Sequence, residues 1–93
     1  MDYIEIEQLV YGEPVDPRII EALLHLELVD TRRLDADRVL IAEADCEEFR
    51  AMLRLMIELD INANGVATII HMRRRMKALY AEVRTLRQLS RMA

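Results

Sequence analysis

The sequence is poor in residues that interrupt helices or crosslink chains. Its 93 residues include two glycines, two prolines and one cysteine, Cys46. Because glycine and proline are the least favourable residues inside a helix, their scarcity favours long helices. A single cysteine forms no internal disulfide, which is typical of proteins from a reducing compartment. We therefore expect a mainly helical cytoplasmic protein in which Cys46 is a small core residue.

The sequence also lacks long apolar runs, a secretory signal and recognisable catalytic motifs. No apolar segment approaches the ~20 residues needed to span a membrane, and the acidic N-terminus does not resemble a signal peptide. Neither His25 nor His71 has a second metal ligand three or four residues later. No Ser/His/Asp set, Cys–His pair or glycine-rich phosphate loop occurs. We expect a protein that is not an enzyme, holds no cofactor or metal, and binds another macromolecule.

The charges are divided unequally along the chain. Residues 1–48 contain 14 acidic and 4 basic residues, a net charge of −10, whereas residues 49–93 contain 3 acidic and 9 basic residues, a net charge of +6. An acidic half repels nucleic acid and attracts a basic partner. Alternatively, the two halves attract each other, within one chain or across a dimer. The sequence leaves both interpretations open.

The first part of the chain predicts two short helices. The first covers Ile4–Tyr11, with Ile4, Leu9 and Val10 as its buried residues, and Gly12 ends it in the left-handed conformation. Asp16 followed by Pro17 is typical of a helix start, with Asp16 as the N-cap and Pro17 in the first turn. This second helix is predicted to run to about residue 26.

A β-hairpin and a third helix are predicted next. The runs 28–33 and 39–42 are rich in β-branched and apolar residues, and the polar loop between them predicts a hairpin, or wing. Asp45 followed by Glu48 is similar to a capping box, which predicts a helix over residues 46–59. Methionines at helical spacing are expected to line the contact of this helix with the next one: Met52, Met56, Met72 and Met76.

A long fourth helix is predicted over residues 63–91, with Asn62 as its N-cap. Its apolar residues recur at alternating spacings of three and four, which is typical of a coiled-coil seam. A helix of ~29 residues is about 43 Å long and extends beyond a core built by the remaining residues. We therefore expect a homodimer, or another partner, along the predicted seam residues Ile69, Met72, Met76, Leu79, Val83 and Leu86.

The order of these elements and several short motifs resemble a known family. The motifs are Ile6-Glu7-Gln8-Leu9, Ile20-Glu21-Ala22-Leu23-Leu24, Leu26-Glu27-Leu28-Val29, Glu58-Leu59-Asp60-Ile61-Asn62, Gly65-Val66, Ile69-Ile70 and Val83-Arg84-Thr85-Leu86-Arg87. Through them the chain is similar to the MerR-like winged helix-turn-helix proteins and, more closely, to CbpM, the bacterial chaperone modulator. The resemblance implies one domain over 1–93, with a winged helix-turn-helix in 1–44, a connecting helix in 45–60 and a dimerisation or partner helix in 62–91.

The resemblance implies a function in the bacterial cytoplasm. Proteins of the CbpM type bind the J-domain of a CbpA/DnaJ-like co-chaperone and inhibit its co-chaperone and DNA-binding activities, without catalysis or a cofactor. The sequence departs from DNA-binding MerR relatives because Glu21 stands where they carry an arginine, although Arg18 takes that role in a shifted register. His25 and Glu27 also replace glycines of the CbpM pattern.

Two surfaces are candidates for the partner. The first is acidic, and we expect it to receive the basic helix with which J-domains contact Hsp70; its predicted residues are Glu21, Glu27, Asp30, Asp35 and Asp37. The second is basic and lies on the fourth helix, where Arg73–Arg75 and Lys77 contact an anionic partner, face solvent or pair with acidic residues. The wing arginines Arg32, Arg33 and Arg38 alternate with Asp30, Asp35 and Asp37, which predicts local salt bridges rather than contacts with DNA phosphates. Two other functions remain open: a DNA-binding MerR-like transcriptional regulator and a structural oligomerisation module.

Overall fold

A computed structural model describes residues 2–93, and its elements follow the order expected of a winged helix-turn-helix. Four helices and a three-stranded sheet form the chain. The elements are β1 (Tyr3–Glu5), α1 (Ile6–Leu9), α2 (Pro17–Leu24), β2 (Thr31–Arg33), β3 (Val39–Ala42), a 3-10 turn (Glu43–Asp45), α3 (Cys46–Ile57) and α4 (Ala63–Met92). The mainly helical prediction with a small hairpin is therefore confirmed.

The sheet has one more strand than the sequence predicted. β2 and β3 form the expected antiparallel hairpin, and β1 pairs with the other edge of β3, with Ile4 opposite Ile41. The prediction that residues 4 and 5 begin the first helix is wrong, since α1 starts at Ile6. A strand of three residues has no periodicity of its own, and it forms here because β3 offers unpaired backbone groups.

The start of α2 is confirmed and its end is corrected. The Asp16 side chain accepts a hydrogen bond from the Arg18 backbone N–H, and Pro17 opens the helix. The helix ends at Leu24, two residues earlier than predicted. The chain then passes through tight turns to Glu27, whose φ of 53° lies in the left-handed region that few residues other than glycine adopt. Gly12 has the predicted left-handed conformation, with a φ of 81°, but α1 ends at Leu9 and not at Tyr11, so Gly12 lies in the turn after the helix and does not end it.

The predicted capping box at the start of α3 is wrong. The Asp45 side chain makes no capping hydrogen bond to α3; its Oδ2 instead accepts from the backbone N–H of Asp30, at 2.8 Å. Glu48 pairs with Arg74 of α4 and not with a helix terminus. Both side chains therefore hold α3 to other elements. The helix ends at Ile57, two residues earlier than predicted.

Helix α4 has the predicted cap and nearly the predicted length. The Asn62 side chain accepts from the Gly65 backbone N–H at 2.8 Å, and the helix continues for 30 residues to Met92. The molecule measures 56 × 31 × 22 Å, because α4 extends well beyond the core. Only Val66 and Ile70 of α4 are buried.

The core lies between the sheet, α2, α3 and the first turns of α4. Phe49 and Met52 of α3 are fully buried at its centre, and Met56 is half-buried. Met72 and Met76 are exposed, so the prediction that all four methionines line the α3–α4 contact is wrong for these two. Cys46 is half-buried against the core. The other buried members of the core are Ile6, Leu9, Leu23, Val29, Ile41, Leu53, Val66 and Ile70.

Candidate partner surfaces

Two of the three wing arginines, Arg33 and Arg38, form ion pairs with acidic residues from other elements. Arg33 of β2 reaches back to α2, where its Nη2 lies 3.1 Å from Glu21 Oε1. Arg38, at the start of β3, contacts Glu5 of β1 with an Nη2–Oε1 distance of 2.7 Å. The hydrogen bond from Arg38 to Glu5 raises the pKa of the Arg38 guanidinium further above its usual value. Each guanidinium therefore has a carboxylate beside it, which a phosphate at the same arginine would also approach.

The remaining two arginines of residues 2–48 also contact groups of the same chain. Arg18 forms an ion pair with Asp16 at 2.9 Å, and this hydrogen bond lowers the pKa of the Asp16 carboxyl below its ordinary value. The guanidinium of Arg32 lies over the ring of Tyr3, 4.7 Å from the ring centroid, in cation–π geometry. Ten net negative charges therefore determine the potential of this half of the chain.

Three of the five predicted partner-binding residues lie around Arg33. Glu21 of α2 pairs with it, and Arg33 Nη1 also donates to the Ala36 carbonyl in the hairpin loop, at 3.3 Å. In the same loop, the Asp35 side chain accepts from the Asp37 backbone N–H at 2.9 Å. The structure therefore brings α2 and the loop together, and we name Glu21, Asp35 and Asp37 the wing carboxylates.

The other two predicted residues belong to a different set of contacts. Asp30 accepts a hydrogen bond from the Tyr3 hydroxyl at 2.5 Å, which raises the pKa of Tyr3 above its ordinary value. Glu27 lies in the turn before Leu28, whose carbonyl accepts from Arg74 of α4. These two residues lie on the connection from α2 to β2, and the contacts do not join them to the wing carboxylates.

A groove that the sequence did not predict opens between α1, α2 and the hairpin. It has a volume of about 570 Å³, and its apolar side chains are half-buried: Val10, Val15, Ile20, Leu24 and Val39. Charged side chains surround these apolar residues at the rim: Glu5, Glu7, Glu21, Asp37 and Arg38. We name this feature the acidic groove. The sequence contained one indication of this groove, since α2 carries more apolar residues than one buried face needs.

The predicted seam of α4 faces away from the core. Counting about 100° per residue, the middle of the seam is rotated by about 130° around the helix from Val66 and Ile70. Ile69 is half-buried beside α3, and the other five seam residues are exposed by 43–62%. The chain itself therefore leaves most of the seam exposed. A second chain or another partner would bury it.

Arg74 has a structural role that the sequence did not indicate. Its guanidinium pairs with Glu48 of α3 and donates to the carbonyl of Leu28. One member of the predicted basic cluster thus ties α4 to both α3 and the α2–β2 connection. Arg73 and Lys77 lie beside Asp45 and Glu47 around a shallow depression, so acidic groups of the same chain also offset part of their charge.

Residues 2–93 contain neither a cluster of metal-ligand side chains nor a helix suited to crossing a membrane. Within this range, no three His, Cys, Asp or Glu side chains are grouped as metal ligands. No helix of the same residues combines the length and hydropathy that a membrane crossing requires. Burial raises the pKa of the Cys46 thiol.

Comparison with known proteins gives one match. The family described as MerR HTH family regulatory protein matches residues 4–88, which is nearly the whole chain. No curated protein and no solved structure gives a significant match.

Proposed function

The chain belongs to the MerR HTH regulatory family, and we propose that it regulates by binding a basic protein surface in place of DNA. The proposed partner is the J-domain of a CbpA/DnaJ-like co-chaperone, as the resemblance to CbpM implies. In this proposal the protein is not an enzyme and needs no cofactor. Binding inhibits the co-chaperone and DNA-binding activities of the partner.

The observation that carries this proposal is that three of the four arginines in residues 2–48 pair with carboxylates, while Arg32 lies over the Tyr3 ring. Affinity for duplex DNA comes mostly from Lys and Arg groups that contact phosphates. Here Arg33 and Arg38 are held by Glu21 and Glu5, Arg18 by Asp16, while the acidic residues outnumber them. A helix-turn-helix surface of this charge attracts a cationic protein surface and repels DNA.

The proposed mechanism is competition for one basic surface. A J-domain contacts Hsp70 through a basic helix, and the wing carboxylates offer that basic helix an alternative acidic surface. While the helix is bound here, Hsp70 cannot reach it.

A homodimer through α4 is part of the proposal. The exposed heptad spacing of Met72, Met76, Leu79, Val83 and Leu86 supports it, because apolar side chains at this spacing pack against a second helix. A symmetric dimer would carry two copies of the acidic surface.

The experiment is calorimetric titration of the full chain with the purified J-domain of a CbpA-like co-chaperone, at low and at moderate salt. We expect binding that weakens as salt increases. The double variant Asp35→Asn/Asp37→Asn should bind ~3- to 10-fold more weakly at low salt, because it removes two exposed attractive charges. The matched control Glu58→Gln/Glu82→Gln removes the same charge from outside this surface. No binding at either salt would exclude the J-domain as partner.

Membership of the family also favours a second candidate function, a DNA-binding transcriptional regulator. This alternative predicts a duplex complex whose affinity falls steeply with salt. An electrophoretic mobility shift with genomic fragments separates the two functions. A chain that dimerises but binds neither probe would be a structural oligomerisation module.

A further inference from the structure

We propose that the acidic groove is the docking site for a basic amphipathic helix of the partner protein. This inference rests on the proposed function and goes further, because it assigns the contact to apolar side chains. Two of the predicted partner-binding residues, Glu21 and Asp37, lie beside these apolar side chains. The groove and its occupant are argued from three features: the apolar floor, the charged rim and the size.

The floor of the groove is apolar and incompletely covered by the chain. Val10 follows α1, Val15 precedes α2, Ile20 and Leu24 lie on α2, and Val39 begins β3. All five pack against the core, yet each remains partly accessible. Apolar side chains converging from three elements form a concave surface whose burial by a partner is favourable.

The rim determines the charge of the occupant. Four carboxylates, those of Glu5, Glu7, Glu21 and Asp37, stand against one guanidinium, that of Arg38. Arg38 is paired with Glu5, so it adds little attraction for an anion. Glu7 and Asp37 form no salt bridge with any residue of 2–93. A ligand that places apolar groups on the floor therefore meets an excess of negative charge at the edges.

The combination of floor and rim fits an amphipathic helix. Such helices dock in apolar grooves through side chains at positions i, i+3 or i+4, and i+7. The volume of about 570 Å³ accommodates a few such anchors. Lysine and arginine residues beside the anchors would then lie against Glu7 and Asp37.

The chain's own α4 is a basic helix as well, but a second copy is the weaker occupant. The apolar side of α4 is the seam assigned to the α4–α4 contact, so it is not available to the groove of another copy. The occupant is therefore a helix from the partner, and occupation by α4 is one outcome that the experiment below detects.

The test uses two probes against the full chain. The first is the J-domain, and the second is a synthetic helical peptide of ~18 residues with leucines at i, i+3, i+4 and i+7 and lysines elsewhere. The key variant is Ile20→Gln, which makes the floor polar at a half-buried position. Its matched control is Leu34→Gln, at an exposed apolar residue of the hairpin loop outside the groove.

We expect Ile20→Gln to weaken both probes by about tenfold, since central apolar anchors dominate binding energy. Leu34→Gln should change either affinity by less than about twofold. Amide exchange of the wild-type complex provides a measurement that does not depend on how the variant folds. It should show protection at Val10, Ile20 and Val39 on binding.

The possible results test the groove as a docking site separately from the J-domain as a partner. If the J-domain binds wild type and Ile20→Gln equally and amides elsewhere are protected, the groove is not the site, although the proposed function stands. If only the peptide binds, and Ile20→Gln weakens it, the groove is supported and the J-domain is wrong. If neither probe binds, both proposals fail. Protection of the groove that rises with the concentration of the chain alone would identify α4 of a second copy and overturn the inference.

Discussion

Replacing Leu79 by aspartate should dissociate the proposed α4–α4 dimer. Leu79 lies in the middle of the seam and is 50% exposed in the single chain. Full burial of a leucine side chain contributes about 1.5–3 kcal/mol, so burying the remaining half contributes about 0.8–1.5 kcal/mol in each protomer. A symmetric interface contains the residue twice, and the substitution therefore removes about 1.5–3 kcal/mol.

The introduced carboxylate adds a second cost. A charge taken from water into an apolar contact without a partner is destabilising by several kcal/mol when fully buried. Because this seam is only partly enclosed, we count about 1–3 kcal/mol for the pair of charges. The total is about 2.5–6 kcal/mol, which corresponds to a dimer dissociation constant about 10²- to 10⁴-fold higher.

Sedimentation equilibrium over a range of concentrations measures this change. The matched control is Ala81→Asp, which places the same charge at an exposed position on the opposite side of the same helix. Circular dichroism checks that both variants remain helical. We expect a dimer for wild type and Ala81→Asp and a monomer for Leu79→Asp. The seam is refuted as the contact if Leu79→Asp keeps the wild-type mass, or if both variants dissociate to the same extent.

Three further predictions concern the ends and tethers of the helices. Asn62→Ala removes the cap of α4 and should lower the free energy of unfolding by about 1 kcal/mol, whereas Asn64→Ala, in the same turn, should change it far less; urea denaturation measures both. Arg74→Met removes the tether from α4 to Glu48 and Leu28, and we expect a loss of about 1 kcal/mol after allowance for solvent exposure; an unchanged urea midpoint would contradict the tether. The lowered pKa of Asp16 means that its contribution to stability is complete above its unfolded pKa and disappears as the pH falls through the folded value. Thermal unfolding of wild type and Asp16→Asn should therefore differ near pH 7 and converge in acid, and a constant difference would be inconsistent with this linkage.

The helix starts show which structural features a sequence reveals. Asp16 and Asn62 cap their helices as predicted, because a cap needs only the side chain and a backbone N–H two or three residues later. Asp45 has the same local pattern and fails, since its carboxylate instead accepts from the backbone of Asp30. Strand β1 fails for a related reason: its three residues become a strand only where β3 lies beside them. Local chemistry was predictable, and partners distant in sequence were not.

The same limit applies to the candidate site. The sequence predicted local pairing of the wing arginines with their neighbours Asp30, Asp35 and Asp37, but the pairs form across the fold, with Arg33 binding Glu21 and Arg38 binding Glu5. The acidic groove was missed as well, because its apolar residues come from α1, α2 and β3, and no single element contains the pattern. The exposed seam, by contrast, lies on one helix and follows from spacing alone.

The ion pairs weigh against DNA binding in addition to the net charge. A phosphate that contacts Arg33 or Arg38 also approaches the carboxylate already paired with that arginine. Each such contact therefore adds a repulsion where an unpaired arginine would add only an attraction. A lysine or arginine of a protein partner has the opposite effect, because it joins the existing pair and shares its carboxylate. In the proposed function, the same side chains would therefore favour a basic protein surface over DNA without a direct clash.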